Sequence, residues 1–77
     1  MQAPGANLTR PGNRLEELRV ARGLLRSQVA AALLIDQSTV YRWERGANIP
    51  DEKKFQLAEL LEVEVPYLMG WASEDAA

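Results

Sequence analysis

The 77-residue chain has no cysteine and no histidine. The first absence excludes disulfides and thiolate metal sites, and the second removes the side chain that most often binds metal or moves protons near neutral pH. No apolar run approaches the roughly 20 residues that span a bilayer, and there is no basic amphipathic helix long enough to lie on one. Residues 1 to 9 carry no charge and include Pro4 and Gly5, which suits neither a signal peptide nor a stable helix, so a cytoplasmic location is expected. Phosphate loops and nucleophile signatures are also missing. The carboxylate pairs Glu16-Glu17 and Asp51-Glu52 each open a helix, where acids favour the dipole, and neighbours in sequence do not face each other. No enzyme, cofactor or metal site is expected. A chain this short buries only about 60% of its unfolded surface, so the expectation is one small domain held by packing alone.

The charge that is present is unevenly distributed. The formal net charge is −2, yet from Arg10 to Gly46 seven arginines face only Glu16, Glu17, Asp36 and Glu44, leaving +3. Residues 47 to 77 hold two lysines against seven acids, leaving −5. A molecule so polarised presents a basic half to phosphate while its acidic half faces away.

Residues 1 to 12, with Pro4, Gly5, Pro11 and Gly12 and the single charge Arg10, read as a flexible arm. Arg10 entering a minor groove is a weaker reading than disorder. The domain proper spans 13 to 71. Asn13 followed three residues later by Glu16 resembles a capping box, and Leu15 and Leu18 recur at helical spacing until Gly23. A second helix is predicted over Arg26 to Leu33 with Val29, Ala30 and Leu33 inward, and a third over Gln37 to Arg45, capped by Asp36 and stopped by Gly46. Asp51 is read as the cap of a fourth helix that contributes Phe55, Leu57, Ala58, Leu60 and Leu61. A short fifth lies within Val63 to Trp71, with Pro66 in its first turn and Gly70 at its end. Residues 72 to 77 are read as an acidic, flexible tail. With no repeat and no β-alternation, the fold is all-α.

The third helix separates by chemistry. At about 100° per residue, Val40 and Trp43 share the inner side, while Ser38, Tyr41, Arg42 and Arg45 lie opposite and Gln37 sits at their edge. Three-residue spacing from Val40 makes Trp43 a core residue rather than a stacking platform. Arg42 and Arg45 are by default solvated surface charges, but their place beside Gln37 and Ser38 points to contact. Double-stranded DNA is the first partner to consider.

Several segments together resemble the lambda-repressor-like helix-turn-helix domain of the phage repressor and Cro family, also called Xre-like. They are Leu15-x-x-Leu18-Arg19-x-x-Arg22-Gly23, Ala30-x-x-Leu33-x-Ile35 and Ser38-Thr39-Val40-x-Arg42-Trp43-Glu44-Arg45-Gly46, followed by Pro50, Leu57-Ala58 and Val63-x-Val65-x-Tyr67-Leu68. The resemblance implies a transcriptional regulator, by prior a repressor, whose third helix enters the major groove. Gln37, Ser38 and Arg42 would then read base edges, Arg pairing with guanine and Gln with adenine. Arg26, Arg45 and Asn48 would grip phosphates, with Thr39 and Tyr41 as further candidates for contact. It also implies a buried ion pair between Arg19 and Glu44. Independent support comes from Glu44 in the last turn of its helix, where the dipole disfavours a carboxylate.

Three positions depart from the family pattern. Leu34 replaces the usual turn glycine, so either the turn takes another geometry or burial of Leu34 offsets a strain of about 1–2 kcal/mol. Leu25-Arg26 replaces the usual Thr-Gln opening, leaving Ser27 as cap of a shorter helix. Tyr41 stands where relatives often have a small residue; its ring reaches a thymine methyl or a phosphate, or limits how deeply the helix docks. At the other end Val65, Tyr67, Met69 and Trp71 supply more apolar surface than the core needs. The surplus suits a homodimer on a pseudo-palindromic operator with half-sites about 34 Å apart. The rival reading is a protein-interaction module, antitoxin-like or adaptor, that keeps the fold and uses this C-terminal surface. Leu25, Leu34 and the acidic net charge support it.

Overall fold

The structure, a computed structural model, describes residues 12 to 71. The arm up to Pro11 with Arg10, and the tail 72 to 77, lie outside the described residues. Five helices follow one another: α1 (Leu15–Ala21), α2 (Arg26–Leu33), α3 (Gln37–Glu44), α4 (Asp51–Leu61) and α5 (Val65–Met69). There is no strand among the described residues, and the architecture is all-α.

One core is assembled from every helix. Leu15 of α1, Val29, Ala30 and Leu33 of α2, Val40 and Trp43 of α3, Leu57, Ala58 and Leu61 of α4 and Leu68 of α5 are all buried. Ile49, in the loop before α4, is also buried and anchors that loop to the core. Phe55 is not part of this core: its ring is 66% exposed. The reason is angular. At about 100° per residue Phe55 points roughly 115° away from the centre of the arc shared by Leu57, Ala58 and Leu61.

All five helices end in the same way. A left-handed residue follows each one: Gly23, Leu34, Gly46, Glu62 and Gly70. In each case the next residue's N–H returns to the carbonyl five positions back: Leu24 to Arg19, Ile35 to Ala30, Ala47 to Arg42, Val63 to Ala58 and Trp71 to Pro66, at 2.9–3.1 Å. This is the Schellman closure, which satisfies carbonyls left over at a helix end. Leu24, Ile35 and Val63 then fold onto the core as its usual hydrophobic companions. Gly70 is required twice over, since its φ is +76° and the Gly12 carbonyl occupies the space a Cβ would need.

Leu34 takes neither course expected of it. Its turn is left-handed, with φ 61° and ψ 46°, and its side chain is 91% exposed. The strain is offset elsewhere, by the Ile35 closure and by Lys53 of α4, whose Nζ donates to the Leu33 carbonyl at 3.3 Å.

The helix starts also differ from the sequence expectations. Asn13 and Glu16 form no box. Arg14 holds the cap position of α1, Asn13 Oδ1 accepts the Leu15 N–H at 2.9 Å, and Glu16 lies 3.9 Å from Arg26. For α2 the cap is Leu25 rather than Ser27, and Gln28 Oε1 accepts the Leu25 N–H at 2.7 Å. Only the second half of a capping box is possible there, because leucine has no acceptor. Asp36 caps α3 by backbone position without a side-chain bond. Pro50, not Asp51, precedes α4; Asp51 sits in its first turn and pairs with Lys54 at 3.0 Å.

Candidate nucleic-acid interface

Helix α3 has two chemically opposed sides. Val40, Trp43 and Glu44 are buried, whereas Gln37, Ser38, Tyr41, Arg42 and Arg45 are exposed and Thr39 is half-buried. Arg45 falls just past the helix, at its C-cap. The exposed row is therefore continuous from the first turn to the end, and the turn at Leu34 to Asp36 sets its angle to α2.

The row is braced from behind by Glu44. Its Oε2 accepts from Arg19 Nε of α1 at 2.6 Å, and its Oε1 accepts from Arg26 Nε of α2 at 2.7 Å. One buried carboxylate thus ties three helices, and these charge-assisted bonds fix the orientation of α3 against both neighbours. Arg19 Nη1 also donates to the Leu24 carbonyl at 2.8 Å, so the α1 end is fastened to the same knot. The hydrogen bond to Glu44, reinforced by its negative charge and by Glu16, raises the pKa of the Arg26 guanidinium above the ordinary arginine value.

Asn13 adds a brace that sequence spacing does not reveal. Its Nδ2 donates to the Trp43 carbonyl at 3.0 Å, across 30 residues, while its Oδ1 serves α1. The only signal is a polar residue just before a helix, which suggests a cap and nothing about α3. Lys53 on the Leu33 carbonyl is similarly invisible in the sequence. Gln28 is not, since a Gln at the third helical position is half of a known capping pattern.

On the outer side, Arg42 Nη2 donates to Thr39 Oγ1 at 3.2 Å, which lays the arginine back along α3 toward Gln37 and Ser38. Two guanidinium groups lie near the Tyr41 ring, Arg26 at 5.1 Å and Arg45 at 5.8 Å from its centroid. Asn48 is exposed in the loop held by Ile49. Among the described residues neither Arg42 nor Arg45 forms an ion pair. Arg26 is different, because its Nε is already engaged by Glu44 and its side chain is only 36% exposed.

The four residues expected at a subunit contact are not equivalent. Val65 and Met69 are half-buried against the core. Tyr67 lies beneath Arg14, whose guanidinium carbon is 4.3 Å from the ring centroid. Trp71 is 65% exposed and has Lys54 Nζ 5.1 Å from its ring. With Phe55, Val65, Asp51 and Lys54 it lines a groove of about 230 Å³ on the α4–α5 side. Among the described residues no helix is long and apolar enough to cross a membrane.

Residues 15–68 match the model of a family described as helix-turn-helix. No curated protein and no solved structure matches the chain.

Proposed function

The chain belongs to the helix-turn-helix family of the repressor and Cro kind, whose members regulate transcription by binding DNA, and on that premise we propose a sequence-specific repressor that reads the major groove with α3. The observation that carries this reading is the exposed row Gln37, Ser38, Arg42 on a helix whose back is fixed by Glu44. Base readout requires a rigid helix carrying side chains free to reach out, and this row has both properties. Arg42 pairs with a guanine and Gln37 with an adenine, Ser38 is tolerant of either, and Arg45 and Asn48 hold the backbone. Thr39 orients Arg42. The protein works in the cytoplasm, with no cofactor and no catalytic step.

The operator is pseudo-palindromic and is bound by two copies. The Phe55–Trp71 groove is the surface that supports pairing, because it leaves two aromatic side chains about two-thirds exposed side by side.

Selection from a random duplex pool tests the proposal. The wild-type chain should enrich one motif and lose affinity steeply between low and moderate salt. Arg42→Ala should relax one guanine position at a cost of about 1–3 kcal/mol in discrimination. An Arg42→Ala variant that selects the same motif with equal affinity would remove Arg42 from the reading face. The second reading, a protein-interaction module, is favoured by the exposure of Phe55, Trp71, Leu25 and Leu34. Weak binding with a flat salt dependence and no enriched motif would decide for it.

A further inference from the structure

Leu34 is unfavourable twice over in the free chain. Its backbone is left-handed, which glycine adopts freely and leucine does not, and its side chain is 91% exposed, so no burial of its own offsets the strain. A strained position that holds an apolar side chain out in water points to a role fulfilled only when that side chain is covered. The preceding residue, Leu33, lines a groove of about 300 Å³ between α2 and α4, with Ala32 on the α2 side and Gln56, Glu59 and Leu60 on the other. The two walls are tied together by Lys53 of α4, whose Nζ donates to the Leu33 carbonyl at 3.3 Å. Glu52, Gln56 and Glu59 are spaced i, i+4, i+7 and share one face of α4, which gives the groove an acidic border. Neither glutamate forms an ion pair among the described residues, and exposed Asp36, two residues beyond Leu34, has none either. Lys53 is half-buried, and its ammonium group is engaged by the Leu33 carbonyl.

We propose that Leu34 and the α2–α4 groove form a docking site for a basic amphipathic helix of another protein. The apolar stripe of that helix covers Leu34 and enters the groove, and its lysines or arginines meet Glu59, Glu52 and Asp36. Charge complementarity selects this occupant, because an apolar floor with an unpaired acidic border attracts a basic segment and repels an acidic one. A groove between two packed helices also has the ridged surface that receives a third. Docking here is independent of whether α3 reads DNA, since no residue of the site belongs to its exposed row or to the Phe55–Trp71 groove.

The probe is a synthetic peptide of leucine and lysine with its leucines at i, i+3 and i+4, titrated into the nitrogen-15-labelled full chain. Backbone amide shifts should be saturable and centred on residues 32 to 34 and on the Gln56 to Leu60 turn of α4. A peptide of the same composition in scrambled order, and one with glutamate in place of lysine, should bind far more weakly. Leu34→Ala should weaken binding about tenfold, as expected for one leucine no longer buried. Leu34→Gly should weaken it at least as much while the melting midpoint rises, which separates a lost contact from a damaged fold. Glu59→Lys should also bind less tightly, and Phe55→Ser should bind like the wild type. Wild-type affinity in Leu34→Ala, equal binding of the scrambled peptide, shifts centred on Phe55 and Trp71, or no saturable shift would each overturn the proposal. Movement of the Leu34 amide on dilution of the protein alone would assign the groove to a second copy and overturn it as well.

Discussion

Arg19 and Glu44, 25 residues apart, meet inside the protein with Nε 2.6 Å from Oε2, their side chains only 10% and 1% exposed. Removing one partner of such a pair costs about 3–5 kcal/mol, because the other charge stays buried. Arg26 still donates to Oε1 in an Arg19→Ala variant, so a loss near 3 kcal/mol is expected. For a domain of this size that lowers the melting midpoint by more than about 10 °C. Thermal unfolding followed by circular dichroism measures it, and an unchanged midpoint would show that the pair contributes no stability.

What could be read from the sequence depended on how far each interaction reaches. The division of α3 into Val40 and Trp43 against Ser38 and Arg42 follows from local periodicity, which a short amphipathic helix expresses directly. The stops at Gly23, Gly46 and Gly70 follow from glycine's ease at positive φ. The ends at Leu34 and Glu62 have the same geometry without that signal, because a Schellman closure is specified by hydrogen bonds and by the apolar residue after it as well as by glycine. Arg26 could be placed at the start of α2 from sequence, but not its second bond to Glu44 or its position over Tyr41, which depend on how three helices cross. Phe55 lies outside the core for a simpler reason: an apolar residue of α4 reaches the core only from the arc that Leu57, Ala58 and Leu61 share.

Leu34 gives a stabilising substitution. A left-handed leucine costs about 1–2 kcal/mol, and its exposed side chain recovers little of this. Leu34→Gly removes the strain but loosens the unfolded chain, for a net gain of about 0.5–1 kcal/mol. Leu34→Ala should be close to neutral. Urea unfolding midpoints for the two variants separate backbone strain from side-chain burial; a large loss in Leu34→Ala would show that the leucine packs against something in solution.

Asn13 acts in two directions, and two substitutions tell them apart. Asn13→Ala loses both the Leu15 N–H bond and the Trp43 carbonyl bond, costing about 1–2 kcal/mol. Asn13→Asp keeps an acceptor for Leu15 but sets a carboxylate against the Trp43 carbonyl. If capping were its only role, the aspartate would match wild-type stability, since Asp and Asn are equal caps. A destabilised Asn13→Asp, measured by denaturant unfolding, is expected from the link to α3.

Phe55 and Trp71 supply the most decisive test of pairing. Both rings are about two-thirds exposed at one groove, whereas Val65 and Met69 already serve the core. Exposed aromatic area of this kind is tolerated in a monomer only at some loss of solubility, and it is the type of surface that anchors an interface. Phe55→Ser with Trp71→Ser should therefore leave the melting midpoint and the affinity for an isolated half-site unchanged, while the cooperative gain on a two-half-site duplex disappears. Electrophoretic titration of both duplexes reads the two quantities side by side. Retained cooperativity in the double variant would move the contact elsewhere, with Tyr67 beside Arg14 as the next surface to alter; loss of half-site binding would mean that the groove supports α3 rather than a second copy.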